Sequence, residues 1–239
     1  MSTESFGHLV GALSGAQKPS AGTPAYSRFV NRRIGRYLAA AAYKLHRTPN
    51  QVSIISGLFS LAGVALVATL RPSVLLAVVV TALLVTGYAL DSADGQLARL
   101  RGGGSLLGEW LDHMIDSAKI FAVHAAVLVS FYRFDAFGND AALLVPLCFL
   151  GVASVMFFGQ ILVDQLRRRR GLATANPRGE STVKALLILP IDYGVLCLVF
   201  LTFGQPSVFL LVYGALLVAN AALLVAAVVK WYGELAAVR

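Results

Sequence analysis

Apolar positions along the chain form two kinds of pattern. From Tyr26 to about Leu45 they recur at helical spacing, with Val30, Ile34, Leu38, Ala41 and Leu45 on one side. Arg28, Arg32 and Arg36 make a stripe on the other. This predicts a basic amphipathic helix on a membrane surface over residues 26–46. Thr48-Pro49-Asn50 ends it, because the residue before a proline avoids the helical region and proline suits the first turn of a new helix. Six continuous apolar segments follow, at roughly 51–70, 73–98, 105–132, 141–166, 184–203 and 206–231. Each is long enough to cross a bilayer, which takes about 20 residues at about 1.5 Å per residue. Residues 1–25 are rich in Ser, Gly, Ala and Thr, and they read as a flexible tail without the apolar core of a signal peptide. The expected fold is all-α: a polytopic integral membrane protein with six transmembrane helices in residues 47–239, preceded by the cytoplasmic surface helix.

Composition supports a membrane protein. Hydrophobic residues make up 57% of the chain and charged residues 13%, and mean hydropathy is +0.73. A soluble domain carries about 25% charge, and a disordered chain is poor in apolar residues. The net charge of +8 would point to nucleic acid in a soluble protein. Here its placement points to membrane lipids instead. With the N-terminus inside, 17 of the 20 Lys and Arg fall on cytoplasmic segments, only Arg71 and Arg133 fall outside, and Lys119 lies within a span. The bias predicts cytoplasmic termini, in the cell membrane. Cys148 and Cys197 lie in apolar runs and read as buried small hydrophobes.

Five of the 12 acidic residues fall between positions 91 and 116, at the inner ends of the second and third segments. Asp91 and Asp94 are spaced i,i+3, and Asp112 and Asp116 i,i+4, so each pair lines one face of its helix. Measured from a turn at Gly102-Gly103-Gly104, all four lie roughly 12–21 Å along antiparallel helices, at nearly one depth. Four carboxylates in low dielectric cannot all stay ionised unaided, and divalent metal is the simplest remedy. All-oxygen ligation favours Mg²⁺, Mn²⁺ or Ca²⁺, and four carboxylates fit a two-metal site that handles phosphoryl groups. Gly95, Ala98 and Gly108 leave room for substrate near the backbone.

The run Asp91-x2-Asp94-Gly95-x2-Ala98-Arg99-x8-Gly108-x3-Asp112-x3-Asp116 resembles the signature of the CDP-alcohol phosphotransferases at every fixed position. Six spans, cytoplasmic termini and a preceding surface helix are similar to that family too. Pro49-Asn50-x-x-Ser53 resembles an element at the start of the family's first span, with Ser in place of Thr. Ser27 to Arg33 is similar to members that make inositol-phosphate lipid precursors. The resemblance implies transfer of a phosphatidyl group from a CDP-linked donor, usually CDP-diacylglycerol, to an alcohol with release of CMP. It implies two Mg²⁺ or Mn²⁺ ions on Asp91, Asp94, Asp112 and Asp116, with Asp116 also the general base. It implies a donor site around Asn50, Ser53, Gly95, Ala98 and Gly108, and a homodimer; Arg99 reads either as a contact to the donor phosphates or as positive-inside charge.

Acceptor residues are read from position. Lys119, one turn beyond Asp116, pairs with a carboxylate or faces acceptor phosphate. Asp192, after Pro190 in the fifth segment, is expected in the acceptor pocket, against a pair with Lys119 or a hydrogen bond at the proline kink. Arg167 to Arg170, with Arg178 and Lys184, read as solvated loop charge or as a site for phosphorylated acceptor; Arg170 is the candidate contact. A divalent-cation transporter would also use intramembrane carboxylates, but the sequence shows no inverted repeat. A structural scaffold leaves the carboxylates unexplained.

Overall fold

The computed structural model describes residues 5–15, 17, 22–135, 137, 138, 140–171 and 181–237. Lys18, Arg178 and Arg239 lie outside the described residues. Among these residues every regular element is helical. Five helical segments are long and apolar enough to cross a membrane: Pro49–Thr69 (α3), Val74–Leu100 (α4), Leu106–Phe134 (α5), Asp140–Arg169 (a 3-10 turn running into α6, Leu144–Arg169) and Pro206–Ala236 (α9).

The surface helix begins as a π-helical turn, Ser27–Asn31, and continues as α2, Arg32–Lys44. Its small residues Gly35, Ala39 and Ala42 pack inward, while Val30, Ile34, Tyr37 and Leu45 are exposed as an apolar face. Part of the expected flexible tail is helical. Phe6–Gly15 forms α1, which packs Leu9 and Leu13 beside Ala39, Ala40 and Leu97. Only two apolar side chains, one helical turn apart, drive that docking, a signal too short to stand out in a Gly- and Ser-rich stretch.

Thr48 starts α3 with a capping box: its hydroxyl accepts from Gln51 N (3.2 Å) while the Gln51 side chain accepts from Thr48 N (3.0 Å). The seam between α3 and α4 is made of small residues. Ser56, Ser60 and Gly63 are buried there, and Ser56 Oγ donates to Gly87 O at 2.8 Å, while Gly57 faces Ile115 of α5. Small residues let helix backbones approach closely where lipid offers no hydrophobic drive. The core continues through Val67, Leu84 and Val127 to an aromatic group of Phe131, Phe149, Phe200, Phe209 and Tyr213.

Residues 184–203 depart from the expected single span. They form α7 (Thr182–Leu187), a 3-10 turn Leu189–Ile191, α8 (Tyr193–Val199) and a second 3-10 turn Phe200–Thr202. Pro190 has no N–H to continue the ladder, and Asp192 is extended (φ −74°, ψ 121°), its carboxylate accepting from Gly194 N at 3.0 Å. Cys197 is buried as expected; Cys148 is exposed on α6.

Candidate active site

The chain reverses between α4 and α5 at Gly102 (φ 96°) and Gly103 (φ 132°), a left-handed conformation that glycine adopts without cost. Ser105 then caps α5 by accepting from Gly108 N at 3.0 Å. This turn sets the two aspartate pairs face to face. Carboxylate oxygens of Asp91, Asp112 and Asp116 lie within 4.8 Å of one another. Asp94 stands one turn along α4, buried, and feels the charge of both Asp91 and Asp112. One of its oxygens, Oδ2, accepts from the Ser53 hydroxyl, which ties α3 to the cluster. Ser53 was expected at a donor site; that bond is its direct contact with the aspartates.

Lys119 is buried and bridges the cluster, with Nζ 2.6 Å from Asp91 Oδ1 and 2.7 Å from Asp116 Oδ1. Of its two expected roles, the structure exhibits the pair with carboxylates. One ammonium beside three crowded carboxylates leaves excess negative charge. The donor set suits a hard divalent cation: among the described residues each ligand atom of the cluster is a carboxylate oxygen.

Two cavities meet at this cluster. One, of about 690 Å³, is lined by Asn50, Ser53, Gly95, Ala98, Arg99 and Gly108, together with Asp94 and Asp112. Every residue expected at the donor site therefore borders the same space. A Cβ at Gly108 would stand 3.1 Å from Asn50 Oδ1 and 3.2 Å from Ser105 Oγ, so either side chain would have to give by a few tenths of an ångström. Glu109, on the rim, pairs with Arg168 at 2.6 Å.

The second cavity, of about 360 Å³, borders the other two aspartates of the cluster and is lined by Asp91, Asp116, Lys119 and Asp192. Asp192 reaches it while serving the fold. Besides capping α8, it accepts from Ser27 N (2.7 Å), Ser27 Oγ (3.0 Å) and Tyr88 Oη (3.2 Å), which fastens the surface helix to the bundle. Its partners are thus these groups, not Lys119. Arg170 ends α6 and lines neither cavity. Its neighbour Arg167 is paired with Asp164 and Glu234. Tyr88, Ser27, Tyr193 and Asn220 line the second cavity and were missed from sequence. Tyr88 had a signal: it precedes Asp91 by one helical turn on the same face.

Residues 46–232 match the family described as CDP-alcohol phosphatidyltransferase, and that span holds all four aspartates and the whole lining of the larger cavity, while Gly22, Pro24 and Ser27 of the smaller one precede it. The chain belongs to that family. Over 158 residues it is 26% identical to the CDP-diacylglycerol–serine O-phosphatidyltransferase of Mycobacterium leprae, covering 64% of this chain and 50% of the relative. The chain thus matches about half the length of that curated relative. The fold is similar to a crystal structure of Mycobacterium tuberculosis phosphatidylinositol phosphate synthase with CDP-DAG bound (TM-score 0.55, 22% identity, covering 85% of this chain and 94% of that one). A structure of the same synthase with manganese and citrate matches with TM-score 0.54 and 23% identity, covering 82% and 87%. As a family member with several long apolar helices, the chain is an integral membrane protein.

Proposed function

We propose that this family member transfers a phosphatidyl group from CDP-diacylglycerol to an alcohol, releasing CMP, as a step of phospholipid synthesis. The observation that carries the reading is the trio Asp91, Asp112 and Asp116, with oxygens within 4.8 Å of one another, set between two cavities. The larger cavity takes the cytidine and pyrophosphate: Gly95, Ala98 and Gly108 let the nucleotide approach the backbone, Arg99 faces the phosphates, and Asn50 and Ser53 border the site. The smaller cavity takes the acceptor.

Asp91, Asp94, Asp112 and Asp116 would hold two Mg²⁺ or Mn²⁺ ions; Asp94 keeps one oxygen for this while Ser53 orients the other. Bound divalent cations would neutralise the pyrophosphate and the departing CMP. Asp116 accepts the proton of the acceptor hydroxyl as its oxygen bonds to the lipid-bearing phosphorus. The bond from that phosphorus to the bridging oxygen breaks, and CMP leaves with the electron pair. Lys119 holds Asp91 and Asp116 in register through the cycle.

The broken segment 182–202 completes a six-span bundle, its short apolar helix Tyr193–Thr202 joined to α7 across the break at Pro190. Residues 47–239 make the catalytic domain, and the apolar face of α2 lies in the bilayer interface. The termini and the site face the cytoplasm of the cell membrane, consistent with the basic residues concentrated at that end. The functional unit is a homodimer.

Manganese-dependent release of CMP from CDP-diacylglycerol by the purified protein is the deciding measurement, and it also separates an enzyme from a cation carrier. Asp91→Ala, Asp94→Ala and Asp112→Ala should each abolish release, because losing one ligand leaves the others crowded and undercompensated. Full activity in chelator, or in two of these variants, would sink the metal-dependent reading.

A further inference from the structure

We propose that the acceptor is an alcohol without a phosphate group, and that the Tyr193 hydroxyl holds it beside Asp116. The inference rests on the transferase reading above and names the substrate class of its second cavity.

Charge is the first observation. Among the described residues that line this cavity, Asp91, Asp116 and Asp192 are acidic and Lys119 is the single Lys or Arg. Lys119 already serves two carboxylates, at 2.6 and 2.7 Å. A phosphate bound in a protein interior is ordinarily met by Arg forks, ammonium groups or several backbone N–H donors. Here the deep wall instead carries the Asp192 carboxylate, whose negative charge opposes a second anion. In the arginine run that ends α6, Arg167 pairs with Glu234, and Arg168 with Glu109 on the rim of the other cavity.

Hydrogen-bonding capacity is the second observation, and it is independent of charge. Tyr193 lines the cavity, and its hydroxyl is buried with no hydrogen-bond partner. Its ring is fixed edge-on against Tyr88, with centroids 5.3 Å apart, and its hydroxyl feels the charges of Asp116 and Asp91. Buried hydroxyls are nearly always paired, so an orphan on a residue that lines a cavity marks a place where a ligand completes the pairing. A phenol both donates and accepts, which matches an alcohol oxygen. Asn220 adds a second contact. Its amide nitrogen is committed to Pro190 O (2.8 Å) and Leu216 O (2.9 Å), which turns its carbonyl oxygen into the group available to a ligand hydroxyl. The cavity thus offers hydroxyl and amide partners and a carboxylate, the surroundings of a hydroxyl-bearing neutral or amine-bearing molecule.

The test uses the full-length protein in lipid nanodiscs with Mn²⁺ and CDP-diacylglycerol, reading CMP release with glycerol against glycerol 3-phosphate, inositol against inositol 1-phosphate, and serine against O-phosphoserine. The expected result is that the phosphate-free partner of the productive pair is favoured about tenfold or more in kcat/KM. Tyr193→Phe, which keeps the ring, should raise that acceptor's KM roughly five- to tenfold, as loss of one hydrogen bond does. Its affinity for CDP, measured by calorimetry, should match that of the parent, which also shows that it is folded. Preference for the phosphorylated partner overturns the inference and leaves the transferase reading standing. An unchanged acceptor KM in Tyr193→Phe overturns the role of Tyr193. Failure of every compound to yield CMP overturns both readings.

Discussion

Lys119 carries an unusual burden for one side chain: it is buried, and it neutralises two carboxylates contributed by different helices. Removing one partner of a buried ionic group leaves uncompensated charge, which costs about 3–5 kcal/mol. Lys119→Met should therefore lower the thermal midpoint markedly in chelator, and Mn²⁺ should restore more stability to the variant than to the parent; equal metal-induced shifts would argue against the charge balance described. Asp116→Asn should slow CMP release by about 10²–10⁴-fold while CDP affinity is retained, since an amide cannot take the hydroxyl proton. Turnover near the parent rate would remove Asp116 from the proton transfer. The aspartates were legible in the sequence because their helical spacing alone puts each pair on one face. Asp192 was legible only as an oddity. Its partners Ser27 and Tyr88 lie 165 and 104 positions away, and no local pattern announces contacts at that range.

Among elements, the α3–α4 seam is the joint that holds Asp94, because Ser53 on α3 bonds Asp94 on α4. Gly87 is the tightest point of that seam described here: a Cβ there would collide with Ser60 Oγ and come within 3.0 Å of Ser56 O. The backbone oxygen cannot yield, so Gly87→Ala should destabilise the protein by about 1–3 kcal/mol, read as a lower thermal midpoint in detergent. Ser60→Ala in the same chain should recover part of the loss and not all of it, because the contact with the backbone persists. The long helices were readable because their apolar runs exceed the length of a bilayer core, and α3, α4, α5, α6 and α9 fall where the pattern put them. The fifth expected segment was apolar enough to read as a continuous helix. What breaks it is Pro190 followed by a capping aspartate; both stand out in the sequence, but a proline kink and a full break look alike in an apolar run. α1 was unreadable for the opposite reason, having only two side chains that profit from burial.

At the scale of the whole molecule, the carboxylate cluster sits between two separate chambers, one bordered by Gly95, Ala98 and Gly108 and the other by Tyr88, Asp192 and Tyr193. The sequence marked residues of both chambers, but not that the second is assembled from α4, α5, α6, the Pro190 break and α9 together. The arrangement has a kinetic meaning. Two substrates that occupy separate cavities beside one cluster can be present at once, so initial-rate plots with both varied should intersect; parallel lines would instead signal a covalent lipid–enzyme species. It also has a stereochemical meaning. If the incoming oxygen arrives from one chamber while the nucleotide departs into the other, the phosphorus between them is turned inside out a single time. A donor made chiral at that phosphorus with sulfur or heavy oxygen should then yield product of inverted configuration, whereas two successive displacements through an aspartate would return it with its original handedness.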